Sequence, residues 1–149
     1  KKIQGVLAVN GTMVDLTGSR AEVCGYVETG RTYLDGSVKI GALDGIVRDR
    51  IRMALNGHVT VNVILHETDE ALGEPWCEIK GLPEEGNSRA PLVEVLEEDL
   101  SQFMGRAGRK TLADDDKLED GLRKLTRQSA QNEIGKRPEV TVIISRLSD

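Results

Sequence analysis

The sequence predicts an α+β fold: a small β-sheet of about three strands with two helices packed on one face, preceded by a β-hairpin and an extended linker. Three observations lead there. The stretch "HVTVNVILH" (58–66) alternates, with Val59, Val61, Val63 and Leu65 pointing one way and Thr60, Asn62, Ile64 and His66 the other. Two later stretches, "APLVEVLEEDLSQFMG" and "KLEDGLRKLTRQSAQNEIG", carry apolar stripes at spacings of three and four. Finally, "PEVTVIISRL" returns to a period of two. Strand-like and helix-like runs are grouped rather than strictly alternating, which places the helices together on one side of the sheet.

The elements follow in order. "GVLAVNGTMVDLTG" has the shape of a hairpin, with residues 6–9 and 13–16 joined through Asn10-Gly11, a pair suited to a tight turn. "EVCGYVETG" adds an extended segment. "RTYLDGSVKIG" lacks an apolar period long enough for a buried element and is expected to be a linker. "DGIVRDRIRMALNG" suits a short helix capped by Asp44 or, almost equally, a strand. After 58–66, "ETDEALGE" is a polar turn and "PWCEIKG" a returning strand. The first long helix places Leu92, Leu96, Leu100, Phe103 and Met104 on one face, with Pro91 in its first turn and Gly105 near its end. The second aligns Leu118, Leu122, Leu125, Ser129 and Ala130 and stops at Gly135. Its acids come first and Arg123, Lys124 and Arg127 later, as a helix dipole favours. In the closing strand Val140, Val142 and Ile144 share a face. The expected organisation is thus 1–27 as strands, 28–44 as linker and 45–149 as an α+β domain.

Composition narrows the function. Of 149 residues only 3% are aromatic, so the core must be aliphatic, and the 30% that are charged alternate with Val, Ile and Leu as in a globular protein. No apolar run approaches the ~20 residues of a membrane span, and no charged-then-apolar leader opens the sequence, so a cytoplasmic protein without a membrane partner is expected. Cys24 and Cys77 match no metal or redox spacing and are expected as free thiols. Residues 1–58 carry eight Lys and Arg against six Asp and Glu, a net of +2. Residues 59–149 carry twelve against nineteen, a net of −7. General nucleic-acid binding demands the opposite balance in that second part.

Catalytic constellations are scarce. His58 and His66 flank one predicted strand and stand ~26 Å apart, too far to share a metal. The acids Asp114, Asp115, Asp116, Glu119 and Asp120 lack the oxygen spacing of a calcium loop and read better as an acidic helix start. Gly105-Arg106-Ala107-Gly108 is a G-x-x-G between two helices, followed by Arg109 and Lys110. A KH domain clamps a nucleotide backbone on such a loop, which makes Arg106, Arg109 and Lys110 weak candidates for RNA contact. A solvated inter-helix turn is the preferred reading. No catalytic residue and no cofactor is expected within the chain.

Three stretches resemble the ribonuclease J family. Gly30, Arg31, Tyr33, Asp35 and Gly36 are similar to that family's linker. Arg48, Asp49, Arg50, Gly57, Val59 and Val61 are similar to the entry into its C-terminal domain. Lys136-Arg137-Pro138 is similar to the approach to its last strand. The resemblance covers nearly the whole chain and is most specific from Gly30 to Val63. It departs where many members have an aromatic-rich "S-R-G-F" stretch and this chain has "IKGLPEEGNS".

What the resemblance implies is a non-catalytic C-terminal portion. The family's zinc-dependent ribonuclease chemistry, with a metallo-β-lactamase core and β-CASP insertion, would lie upstream of Lys1, and residues 1–27 would be the last strands of that core. The parent would degrade RNA from its 5′ end and cut it internally. Family members are similar in assembling as dimers or tetramers with help from this domain. The side of the sheet away from the helices is the candidate interface, with Trp76 as anchor and Ile64 and Ile143 beside it.

Overall fold

The computed structural model describes residues 5–42 and 44–148. Two compact units divide between Val47 and Arg48.

The first unit holds two hairpins. Strand β1 (Thr12–Asp15) pairs antiparallel with β2 (Glu22–Tyr26). The tight turn at Asn10-Gly11 does form, with the Thr12 N–H donating to the Val9 carbonyl and Gly11 at φ 85°. Residues 6–9 nevertheless make no strand, and the expected pairing of 6–9 with 13–16 is replaced by β1 with β2. The reason lies at Gly11, whose carbonyl accepts from the Val27 N–H at 2.8 Å, so the turn is bound to the end of β2. Residues 28–44 are also more than a linker, because β3 (Thr32–Asp35) and β4 (Val38–Gly41) form a second hairpin. Asp35 pairs with Val38, leaving Gly36-Ser37 as a two-residue loop with Gly36 at φ 60°, the geometry such loops select. Asp44 turns back to accept the Gly41 N–H at 2.6 Å.

The second unit is the expected sandwich. Helix α1 (Ile46–Asn56) resolves the helix-or-strand ambiguity and stops at Gly57, φ 72°. A Cβ there would sit 2.4 Å from Leu82 and 2.8 Å from the Gly81 carbonyl, so both the dihedral and the space require glycine. Strand β5 (His58–His66) occupies the centre of a three-stranded sheet, between β6 (Trp76–Lys80), antiparallel, and β7 (Glu139–Leu147), parallel. Between β6 and β7 the chain runs through α2 (Leu92–Arg106), the short α3 (Arg109–Leu112) and α4 (Asp115–Ile134). This is the crossover a parallel neighbour needs.

The core lies between the sheet and α2 and α4. Val59, Val61, Val63 and Leu65 from β5 meet Leu92, Leu96 and Leu100 from α2 and Leu118 and Leu122 from α4. The apolar stripes thus pack as their spacing dictates. Gly121 looks misplaced in a helix, yet a Cβ there would be 2.5 Å from the Phe103 ring, so its absence lets α2 and α4 close together. Both ends of α4 are capped. The Asp114 carboxylate caps α4 by accepting the Lys117 N–H, and Gly135 ends it in the left-handed conformation. Lys136 donates to the Leu55 carbonyl at the end of α1, which gives the Lys136-Arg137-Pro138 run part of its structural work.

Candidate functional site

The sheet has one covered face and one open face, and the alternation of β5 decides which residues take each. Val59, Val61, Val63 and Leu65 go under the helices, so Thr60, Asn62 and Ile64 must face outward. Register then fixes their neighbours: Asn62 lies beside Trp76 on β6 and Ile143 on β7, and Thr60 lies beside Glu78 and Thr141. Ile64, Trp76 and Ile143 are 38%, 51% and 45% exposed. Three large apolar side chains are therefore grouped on one face rather than scattered over the surface.

Two pairs of polar groups are matched around them. Glu78 and Lys80 form an ion pair at 3.3 Å. His58 Nε2 and the Thr141 hydroxyl share a hydrogen bond of 3.0 Å. Asn62 is the exception: its Nδ2 is shut off from water and has no hydrogen-bond partner among the described residues. A buried amide donor left unmade costs about 1–3 kcal/mol. This residue was read from the sequence only as part of an outward-facing set, since periodicity carries no information about hydrogen-bond satisfaction.

The other candidates fall elsewhere. Gly105 and Arg106 belong to the last turn of α2, leaving only Ala107 and Gly108 before α3. Arg106 donates to Gln102. Arg109 lines a cavity of about 310 Å³ together with Asp69 and Glu70, and those two carboxylates oppose a phosphate there. Lys110 sits exposed within α3. Beside that cavity the Arg146 guanidinium joins three elements, binding Asp69 at 2.8 Å, Asp115 at 2.7 Å and the Leu112 carbonyl at 2.6 Å. Those bonds fix the end of β7 to the β5–β6 loop and the α3–α4 junction. They use the charge structurally.

The described residues assemble no zinc site. His58 and His66 stand at opposite ends of β5, with Thr141 and Thr68 as their respective hydroxyl partners. No group of three or more His, Cys, Asp or Glu is placed to hold a metal among the described residues. Cys24 is an exposed free thiol and Cys77 a buried one. Burial, and secondarily the nearby Glu97 carboxylate, pushes the Cys77 thiol up to about 12, which makes it a core side chain and not a nucleophile. Among the described residues no helix is long and apolar enough to cross a membrane.

Comparison with known proteins places this architecture. Residues 45–147 match the family model described as the ribonuclease J C-terminal domain. The chain is 32% identical over 142 residues to the ribonuclease J of Sinorhizobium meliloti, covering 93% of this chain and 24% of that protein. It is 30% identical over 105 residues to that of Corynebacterium glutamicum, covering 69% and 14%, and 28% identical over 100 residues to that of Mycobacterium tuberculosis, covering 66% and 18%. The chain thus spans a quarter or less of the length of these relatives.

Proposed function

The chain belongs to the ribonuclease J family through its C-terminal domain, and from that premise we propose that it is a non-catalytic assembly part of a metal-dependent ribonuclease. The observation that carries this reading is the open sheet face, where Trp76, Ile64 and Ile143 stand half-exposed with a buried, unpaired amide among them. Such a face is too apolar for a purely solvated surface and too polar for a core, the composition of an interface. A large aromatic at its centre is the usual anchor. Self-association into a dimer or tetramer is the role proposed for it.

In the same reading the catalytic chemistry lies elsewhere in the parent. RNA is the parent's substrate, zinc or another divalent metal is held by a metallo-β-lactamase and β-CASP core, and the reaction is 5′-to-3′ exonucleolytic and endonucleolytic cleavage in cytoplasmic RNA processing and decay. Residues 1–27 supply the last strands of that core, 28–44 connect, and 45–149 assemble. The inverse charge balance and the acidic surroundings of Arg109 speak against a second role as an RNA-binding module.

Sedimentation equilibrium of this chain tests the reading. Concentration-dependent association in the micromolar range is expected. A monomer persisting to high micromolar concentration refutes it.

A further inference from the structure

Asn62 sits at the middle of the open face, and its Nδ2 is buried with no hydrogen-bond partner among the described residues. Resting on the assembly reading, we propose that a second copy covers this face about a two-fold axis running along β5, with Asn62 on the axis and its carboxamide paired with the same group of the second copy.

A residue on a two-fold axis meets itself, so its side chain must be complementary to itself. A carboxamide meets that condition, because it holds both donor and acceptor and two of them pair reciprocally. The orphan Nδ2 then gains the acceptor it lacks. Asn62 is itself only partly buried, so a turn of its carboxamide about the last side-chain bond brings Nδ2 outward.

Charge points to a second copy as the occupant. Residues 59–149 carry a net of −7, so most surfaces of two such domains repel each other. The open face is the balanced exception, with Glu78 paired with Lys80 and Glu139 paired with Arg127 of α4. At the level of His58, Lys80 stands on the β6 side and Glu139 on the β7 side. Rotation about β5 exchanges those sides, setting Lys80 over the Glu139 of the second copy and the Trp76 ring over its smaller Ile143. Opposite charges thus meet at the level of His58 and unequal side chains at the level of Asn62, while the outward residues of β5 each meet themselves.

The test uses two variants of the 149-residue chain, Asn62→Asp and Asn62→Lys. Each alone should dissociate at least ~10-fold more readily than the parent chain, because like charges face each other on the axis. An equimolar mixture should recover association to within about threefold of the parent value, since Asp then faces Lys. Circular dichroism checks that both variants keep the fold. Two results overturn the proposal: a mixture no tighter than the separate variants, or variants that associate like the parent while Trp76→Glu dissociates. Either leaves the assembly reading standing with Asn62 off the axis. A parent chain that stays monomeric refutes the assembly reading itself.

Discussion

Trp76→Glu is the most informative single change. Trp76 is 51% exposed, and a full indole side chain presents up to ~250 Å² to water, so docking removes about 120 Å² of it. At about 25 cal/mol per Å² that is worth ~3 kcal/mol per ring. A symmetric dimer has two rings, and ordering costs offset roughly half of the combined figure, leaving about 3 kcal/mol at stake. The dissociation constant should rise ~100-fold. The face itself is small: three strands spaced ~4.8 Å apart and up to nine residues long cover roughly 400 Å². Standard interfaces bury about 800 Å² per partner, so the parent constant should lie in the micromolar range or weaker. Sedimentation equilibrium from low to high micromolar chain reads both values. The fold should survive, because Trp76 is outside the core and its neighbour Cys77 keeps its contacts. A rise below about threefold, with a normal thermal melt, refutes the reasoning, because it would mean the ring is not desolvated on association.

Gly57→Ala should destabilise the second unit by about 1–3 kcal/mol, seen as a lower melting temperature, because it combines a left-handed φ with overlap on Leu82 and the Gly81 carbonyl. In native buffer near pH 8 a maleimide should label one thiol, Cys24, and a denaturant should expose Cys77 as the second; rapid native labelling of both would contradict the burial of Cys77. The Asp114 carboxyl is held below the ordinary carboxylate range, chiefly by its hydrogen bond to the Lys117 side chain. Its contribution is therefore full above the unfolded pKa of ~3.9 and is lost as pH falls through the lower folded value. Asn at that position keeps the cap without the titration, so Asp114→Asn should show a shallower acid loss in a melting-temperature profile. The chain alone should neither degrade RNA nor retain stoichiometric zinc after dialysis, as elemental analysis and a nuclease assay will report.

The second unit was legible in the sequence because period and burial agree there. Val59 to Leu65 alternate and bury on alternate positions, and Leu92, Leu96 and Leu100 bury at intervals of four. Thr126 was missed in the α4 stripe because hydrophobicity alone hides it. Its hydroxyl donates to the Leu122 carbonyl at 2.8 Å, so a polar side chain satisfies itself within the helix and enters the core. The first unit was less legible for a different reason. Its strands are four or five residues long and mostly exposed, so no buried face marks their register. The open face was readable as a set of residues. Its centre was not, because only the packed structure reveals that Asn62 lacks a partner.

The parallel pairing of β5 with β7 governs how this unit is made. His58 and Thr141 touch although they are 83 positions apart in sequence, so no sheet contact of β7 forms until the whole helical segment between them has been made. Closing so long a loop is slow, and it must follow synthesis of residues 67–138. While a ribosome is still adding residues at ~5–20 per second, β5 has only β6 beside it and one edge bare. Two nascent chains held close on one message would then present unpaired edges to each other. In the assembly proposed for the open face, a complete interface must wait for β7, which carries Ile143.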